Sequence, residues 1–441
     1  MKDSGIKWIG SIPDTWNVIK VKYNCSLKGR IGWQGLTTDE YIDEGPLLIT
    51  GTDFNVNDGV INWDSCAHVS EWRYEQAPEI QVHNGDLLIT KDGTIGKVAI
   101  VTNMMDKTTL NSGVMVIRPT EDNYETRFLY YVLKSEEFWK WFNYINSGNT
   151  TISHLYQHDL NHFYFAITDK TEQRAIIDFL DKKCQQADVV INKVKEQINL
   201  LSQARLSLIT ETVTKGVRQH SEFIETSVAW LNKIPKEWVV EKLKYVTVKI
   251  GSGKTPKGGS EIYEDEGILF IRSQNVYDNG LYLDDVKYIN EVIHSEMSGT
   301  KLRKGDVLFN ITGASIGRCC VYNLDVEANV NQHVCIIRMS EENYSPYIRY
   351  VFNSNIGKAQ TAINQVGGTR EGLSFEQIKC FYVPVPSYDE QVEISDYLDK
   401  KCSVIDRIIE KKQDELNILE EQKKSLINEY ITGKKRVKGY A

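Results

Sequence analysis

The sequence predicts a mixed α/β (α+β) chain. Two globular domains are separated by a pair of long antiparallel coiled-coil helices, and the whole is a pseudo-two-fold internal repeat. Three observations predict it. An apolar seam at alternating three- and four-residue spacing marks one very long helix. The same stretch returns about 218 positions later. The short landmarks ahead of each stretch recur in the same order.

The first domain is expected over residues 1–170. It opens with Trp8-Ile9-Gly10-Ser11-Ile12-Pro13-Asp14-Thr15-Trp16, two tryptophans around an Ile-Pro turn, whose indoles should pack on the core. Gly85–Thr90, the turn Lys91-Asp92-Gly93-Thr94 and Ile95–Val101 read as strand, Asp-Gly turn, strand. Asn111-Ser112-Gly113 precedes the strand Val114–Arg118. A short amphipathic helix is expected around Phe128–Leu133, then a polar Gly/Thr loop at Ser147–Thr151 and a strand at Phe163–Ile167.

The central helix is expected over residues 171–220. Its seam is Leu180, Cys184, Ala187, Ile191, Val194, Ile198, Leu201 and Leu208. At ~1.5 Å per residue it would be roughly 75 Å long.

The second domain, residues 221–388, repeats the landmarks. Trp230 to Trp238 again flank Ile-Pro, Gly305–Asn310 and Ile316–Tyr322 flank Thr312-Gly313-Ala314-Ser315, and Asn331-Gln332-His333 precedes Val334–Arg338. Tyr347–Phe352 matches the short helix, Val366–Arg370 the polar loop and Phe381–Pro386 the last strand. The second long helix falls in residues 389–441, with Leu398, Cys402, Ile405, Ile409, Leu416, Leu419 and Leu426 on its seam. Arg205 and Lys423 interrupt the two seams at the same place. Helices of matching length in one chain point to an intramolecular antiparallel pair, the alternative being helices packed separately on each domain.

Of 441 residues, 41% are hydrophobic and 25% charged, ordinary for a soluble globular protein. The N-terminal stretch lacks a signal peptide's apolar run, and no run approaches the ~18 apolar residues that span a bilayer. Eight cysteines form no CxxC, which fits a reducing cytoplasm. The net charge of −8 argues mildly against nucleic acid, but phosphate binding depends on local charge, and Lys28-Arg30, Lys254-Lys257 and Lys301-Arg303-Lys304 are basic clusters.

Catalytic patterns fail one by one. Gly251-Ser252-Gly253-Lys254-Thr255 imitates a P-loop, but the first glycine of that motif would have to stand at Val248. A dinucleotide or S-adenosylmethionine fingerprint fails at Pro256, and the chain has no Pro-Pro pair. Asp285-Val286-Lys287 has a fragment of nuclease spacing without a counterpart in the first half, so it reads as a solvated strand edge. His154, His158 and His162 at i, i+4, i+8 could face a metal from one helix, but Gly372, Glu376 and Cys380 hold the repeated places.

What remains are polar loops of Arg, Gln, Asn, Ser, Thr and Lys, suited to base edges and phosphates. The candidates are Arg30, Trp33, Gln34, Lys91, Thr94, Lys97 and Asn111 in the first half. In the second they are Lys254, Thr255, Lys257, Arg272, Gln274, Asn275, Ser315, Arg318 and Arg370. The residues alone leave three readings open: a duplicated DNA reader, a self-sufficient DNA enzyme, and a coiled-coil scaffold binding only proteins.

The chain resembles the specificity subunit of type I restriction–modification systems over nearly its whole length. The resemblance rests on Trp-x4-Pro-x2-Trp at both domain starts and Gly253-Lys254-Thr255-Pro256. It also rests on Gly29-Arg30-Ile31-Gly32-Trp33-Gln34-Gly35-Leu36-Thr37-Thr38, and on Pro384-x-Pro386-x3-Glu390-Gln391 leading to Leu398-Asp399. The first half departs in having Ala166-Ile167-Thr168 in place of the prolines. The resemblance implies two target recognition domains, each reading one half of a bipartite, asymmetric site in double-stranded DNA. It implies helices that set the spacer and bind two modification (methyltransferase) subunits, with restriction (motor-nuclease) subunits joining them. No cofactor is implied on this chain; S-adenosylmethionine, ATP and Mg2+ would serve the partners in the cytoplasm, with no membrane involved.

Overall fold

The computed structural model describes residues 1–30, 36–55, 59–147, 154–256, 258–365 and 372–440. The chain forms two compact units, Met1–Lys195 with Asp414–Ala441, and Glu196–Gln413. The boundaries fall inside the two long helices, Lys170–Lys215 and Tyr388–Ile431, so each unit holds part of both.

In the first unit, Val98–Ile100, Leu87–Thr90, Val114–Pro119 and Cys25–Gly29 form an antiparallel sheet in that order. Period-two alternation feeds two cores. Leu87, Ile89, Met115 and Ile117 join the aromatic core with Phe128, Phe138, Trp141 and Phe163. Leu88, Val114 and Val116 point the other way, onto Leu47, Ile49 and Leu110. Those three belong to a second sheet of Thr108–Leu110, Ile42–Ile49 and Ala67–His68, whose first two strands run parallel. A sheet covered on both faces explains why Leu87–Thr90 is buried at every position.

The second unit repeats this plan. Its sheet runs Thr247–Ser252, Val334–Met339, Val307–Asn310, Cys319–Val321. Val307, Phe309, Cys335 and Ile337 face one core, and Leu308, Cys320, Val334 and Ile336 the other. The parallel pair is Ile268–Ile271 with Ala328–Val330. The cysteines are small hydrophobes here, and burial pushes the Cys320 thiol up to about 12.

After the strands Val114–Pro119 and Val334–Met339, two consecutive helices stand where the sequence suggested one. Thr126–Lys134 is followed by Glu136–Ile145, and Ser345–Asn353 by Asn355–Gln365. The breaks are Ser135 and Ser354, both extended, whose hydroxyls donate back to the carbonyls of Val132 (2.7 Å) and Val351 (2.6 Å).

Within each unit the long-helix segments run antiparallel. In the first, the Phe179 and Tyr430 rings meet tilted at 35° with centroids 4.4 Å apart, Lys423 Nζ donates to Asp188 Oδ1 (2.5 Å), and Lys195 pairs with Glu420 (2.9 Å). In the second, Arg205 pairs with Asp406 (2.7 Å) and Arg218 with Glu393 (2.6 Å). The polar interruptions of the two seams, Arg205 and Lys423, thus each meet an aspartate on the opposing helix.

The repeated Trp and Glu-Gln landmarks are one device. Trp16 Nε1 donates to Glu172 Oε2 (3.1 Å), and Trp238 Nε1 to Glu390 Oε2 (3.0 Å). Both glutamates are buried and acquire a second partner from the tail of the other long helix, Arg436 (2.9 Å) and His220 (2.8 Å) respectively. Pairing and hydrogen bonding make such burial tolerable. Gln173 accepts from the Glu125 amide (2.9 Å) and donates to the Thr168 carbonyl (2.7 Å). Gln391 does the same with Tyr344 (2.8 Å) and Pro386 (3.0 Å). Gly216 and Gly433 end the helices at φ +77° and +72°, close against the indoles of Trp238 and Trp16.

Candidate nucleic-acid interface

In the first unit, polar loops gather where the strand Leu87–Thr90 ends. Thr90, fully buried, pins the following turn: its hydroxyl donates to the Thr94 carbonyl (2.6 Å) and accepts from the Lys97 amide (2.9 Å). Backbone bonds then gather the neighbours. Lys91 N donates to Gly113 O (2.8 Å), Leu155 N to Lys91 O (3.0 Å), and Asn111 N to Ile49 O (2.9 Å). Lys97 Nζ donates to the Gly51 carbonyl (2.8 Å). Lys91, Thr94, Lys97 and Asn111 are therefore brought together at one end of the sheet. Thr94 is exposed and the other three half-buried. The Asn111 amide also shapes its own turn, accepting from Gly113 N (3.2 Å) and donating to Tyr41 Oη (3.3 Å).

Arg30 is a correction. It is 2% exposed, with Nε donating to Leu110 O (2.9 Å) and Nη2 to Thr109 Oγ1 (3.1 Å). Burial lowers its pKa, and among the described residues Nη1 has no partner. It directly follows the edge strand Cys25–Gly29 and reaches the strand Thr108–Leu110 of the other sheet, so it ties the two sheets together and presents no donor to solvent. Trp33 and Gln34 lie outside the described residues.

The second unit builds the same platform with other side chains. Asn310 stands where Thr90 stands; its Nδ2 donates to Ser273 O (2.8 Å) and its amide to Arg318 O (2.9 Å). Ile311 N donates to His333 O (3.0 Å), Leu373 N to Ile311 O (2.8 Å), Asn331 N to Ile271 O (3.0 Å) and Lys254 N to Val330 O (3.2 Å). Lys254, Thr255, Arg272, Gln274, Ser315 and Arg318 thus lie on segments tied together at this strand end. The Arg318 guanidinium sits 4.4 Å over the Tyr277 ring.

Asp285 clamps Arg272 (3.2 Å) and Gln274 (2.6 Å) and lies 3.6 Å from Lys287, so the strand edge is solvated as expected, with the Asp285 side chain 66% exposed, and also braces two candidate residues. Asn275 is a second correction. It is 2% exposed, and its side chain accepts from Arg272 N (3.0 Å) and donates to Tyr282 O (2.9 Å), which makes it a buried turn former. Lys257 and Arg370 lie outside the described residues.

Gly253 needs no phosphate to explain it. A Cβ there would lie 1.8 Å from the Val330 carbonyl oxygen, so the backbone approach itself demands glycine. The histidine series does not share a helix face either. The helix covers only Gln157–Leu160, and His154 lies before it with Nδ1 2.6 Å from Asp92. Among the described residues no group of three or more His, Cys, Asp or Glu could hold a metal ion.

Three side chains of these platforms were not among the DNA-contact candidates of the sequence: His154, which it offered only as a metal ligand, His333 and Gln332. His333 Nδ1 lies 2.5 Å from Thr312 Oγ1 in the turn after Asn310. The signal that could have found His333 is its place in Asn331-Gln332-His333, at the landmark aligned with Asn111-Ser112-Gly113.

Comparison with known proteins falls on this architecture. The family model described as the type I restriction modification DNA specificity domain matches residues 35–200 and 235–418. The chain is 26% identical to the type I restriction enzyme MjaVIII specificity subunit of Methanocaldococcus jannaschii, over 97% of this chain and 94% of that relative. It is 25% identical to the EcoBI specificity subunit of Escherichia coli over 76% and 70% of the two chains. A chain solved in a study of complex assembly and conformational transition of the type I R-M system superposes with a TM-score of 0.67. That match has 15% sequence identity and covers 96% of this chain and 98% of that one. At that identity the likeness speaks for the fold.

Proposed function

The chain belongs to the type I restriction modification DNA specificity family, and from that premise we propose how it divides its work. It is a non-catalytic DNA-recognition subunit with two target recognition domains, and other subunits of the restriction–modification system are its partners. Each loop platform reads one half of a bipartite, asymmetric site by entering the major groove, where all four base pairs can be told apart. The observation that carries this reading is one scaffold presenting two unlike sets of polar groups at equivalent strand ends. Lys91, Thr94, Lys97 and Asn111 stand on one, and Lys254, Thr255, Arg272, Gln274, Ser315 and Arg318 on the other. Exposed Lys254 and the half-buried lysines and arginines position the duplex through its phosphates, while the amides and hydroxyls address bases.

The long helices fix the distance between half-sites and receive two modification subunits. Exposed apolar side chains support that docking: Val190 and Ile418 in the first unit, Leu200 and Ile408 in the second, occupying equivalent positions of the repeat. S-adenosylmethionine, ATP and Mg2+ chemistry is assigned to the partner subunits, and the assembly works in the cytoplasm with restriction subunits added. Among the described residues no helix is long and apolar enough to cross a membrane.

The test is a domain exchange. Replacing residues 25–165 by the corresponding segment of another member should change one half-site in a genomic N6-methyladenine map and leave the other intact. A change in both halves overturns the independence of the two readers.

A further inference from the structure

In the second unit a groove of about 720 Å³ opens beside the first turn of the helix Tyr388–Ile431. Its rim is apolar and aromatic: Val239 is 53% exposed, Tyr245 66% and Tyr388 45%. Its polar side chains include Glu241, Glu341 and Glu342, and no ion pair or hydrogen bond among the described residues engages any of these carboxylates. Lys244 lies 4.7 Å over the Tyr245 ring and meets no groove carboxylate.

The internal repeat says what this corner lacks. Glu121-Asp122 follows the strand Val114–Pro119 as Glu341-Glu342 follows Val334–Met339. In the first unit the opening turn of the long helix supplies the cations. The Lys170 ammonium pairs with Asp122 and lies 3.7 Å from Glu125, while Arg174 reaches Glu125 at 2.9 Å. The aligned residues of the second unit are Tyr388 and Val392, which carry no charge; Ser345 replaces Glu125, so the acid left without its cation is Glu342, the counterpart of Asp122.

We propose that this groove of the second unit docks a protein partner through an arginine or lysine side chain that takes the place Lys170 holds in the first. The incoming cation would sit between the Glu341 and Glu342 carboxylates and the rings of Tyr245 and Tyr388, which favour a guanidinium on their faces. Three carboxylates repel DNA phosphates, so the occupant is a protein segment. The inference stands apart from the reading of bases.

The test uses the full-length chain and a fluorescein-labelled acetyl-Gly-Arg-Ala-Arg-Gly-amide peptide, followed by fluorescence anisotropy. The substitutions E341Q and E342Q together should weaken binding about tenfold, the loss expected for one charge-assisted contact. Y388K with V392R, which gives the groove its own cations, should weaken it as much. D122N with E125Q in the first unit should leave it unchanged, and circular dichroism identical to wild type shows that each variant is folded. Equal affinity for E341Q/E342Q overturns the proposal, as does an equal loss in D122N/E125Q. A concentration-dependent dimer abolished by E341Q/E342Q also overturns it, because the occupant would then be a second copy of this chain.

Discussion

Replacing Arg30 separates a base reader from a buried tie. The side chain is 2% exposed and bridges two acceptors of one strand, Leu110 O at 2.9 Å and Thr109 Oγ1 at 3.1 Å. A charged hydrogen bond is worth roughly 1.5–3 kcal/mol, and two of them would suggest a larger figure. Against that stands the desolvation of a guanidinium whose Nη1 has no partner among the described residues. The balance predicts that R30A destabilises the first unit by about 2 kcal/mol. R30K keeps the charge but reaches one acceptor, so about half of that loss should return. Urea unfolding gives the stability, and a gel shift with a duplex carrying the mapped site gives affinity at fixed salt. Affinity should fall only where the fold is lost, and the slope of log affinity against log salt should hold in folded protein. R30A with a wild-type unfolding midpoint and no DNA binding would refute the reasoning, because the guanidinium would then turn outward to the duplex.

The other predictions address the helices, the platform charge and a buried acid. Four residues inserted after Gln197 add about 6 Å of helix, roughly two base pairs, so the methylated site should gain that spacer with unchanged half-sites. K254A should weaken binding to all sequences alike and reduce the salt slope by about one, since Lys254 is exposed and addresses phosphate. Burial pushes the Glu137 carboxyl up to about 8, from 4.5 in the unfolded chain, so between those values the native state holds a proton that the unfolded chain has lost. Its contribution to stability must therefore fall as pH rises from about 4.5 to 8. E137Q should gain melting temperature relative to wild type across that interval, and a constant difference would show that Glu137 does not titrate there.

The legible parts of the chain are those dictated by burial. A helix with one wet face must repeat its apolar residues, and every seam residue named from the sequence is buried or half-buried. Strands whose sides feed two cores announce themselves as Leu87–Thr90 and Val307–Asn310. The helix Glu136–Ile145 escaped because Glu136-Glu137 reads as a polar break, whereas Ser135 makes the break and Glu137 is buried. The site was less legible, for a physical reason. A polar residue in a glycine-bearing segment looks solvent-facing, and only the topology reveals which carbonyls lie beneath it. Arg30 and Asn275 met such carbonyls and turned inward, while His154 and His333 were carried to the platforms by partners distant in sequence.

The net charge of −8 then loses its force against a DNA partner. Many acids are already engaged inside the scaffold. Asp86 and Asp306 hold Arg118 and Arg338, and Asp181 and Asp399 hold Arg127 and Arg349. Asp188 and Asp406 answer the seam cations, and Glu172 and Glu390 hold the indoles. On the platforms, Asp92 is met by His154 and Asp285 by Arg272 and Gln274. A duplex responds to the field at the loops within about a Debye length, roughly 8 Å at physiological salt, and there Lys91, Lys97, Lys254 and Arg318 stand without a carboxylate partner among the described residues. Acidity in the scaffold and cationic character in the readers are thus two consequences of one division, in which the repeated residues hold the fold and the unrepeated ones face the ligand.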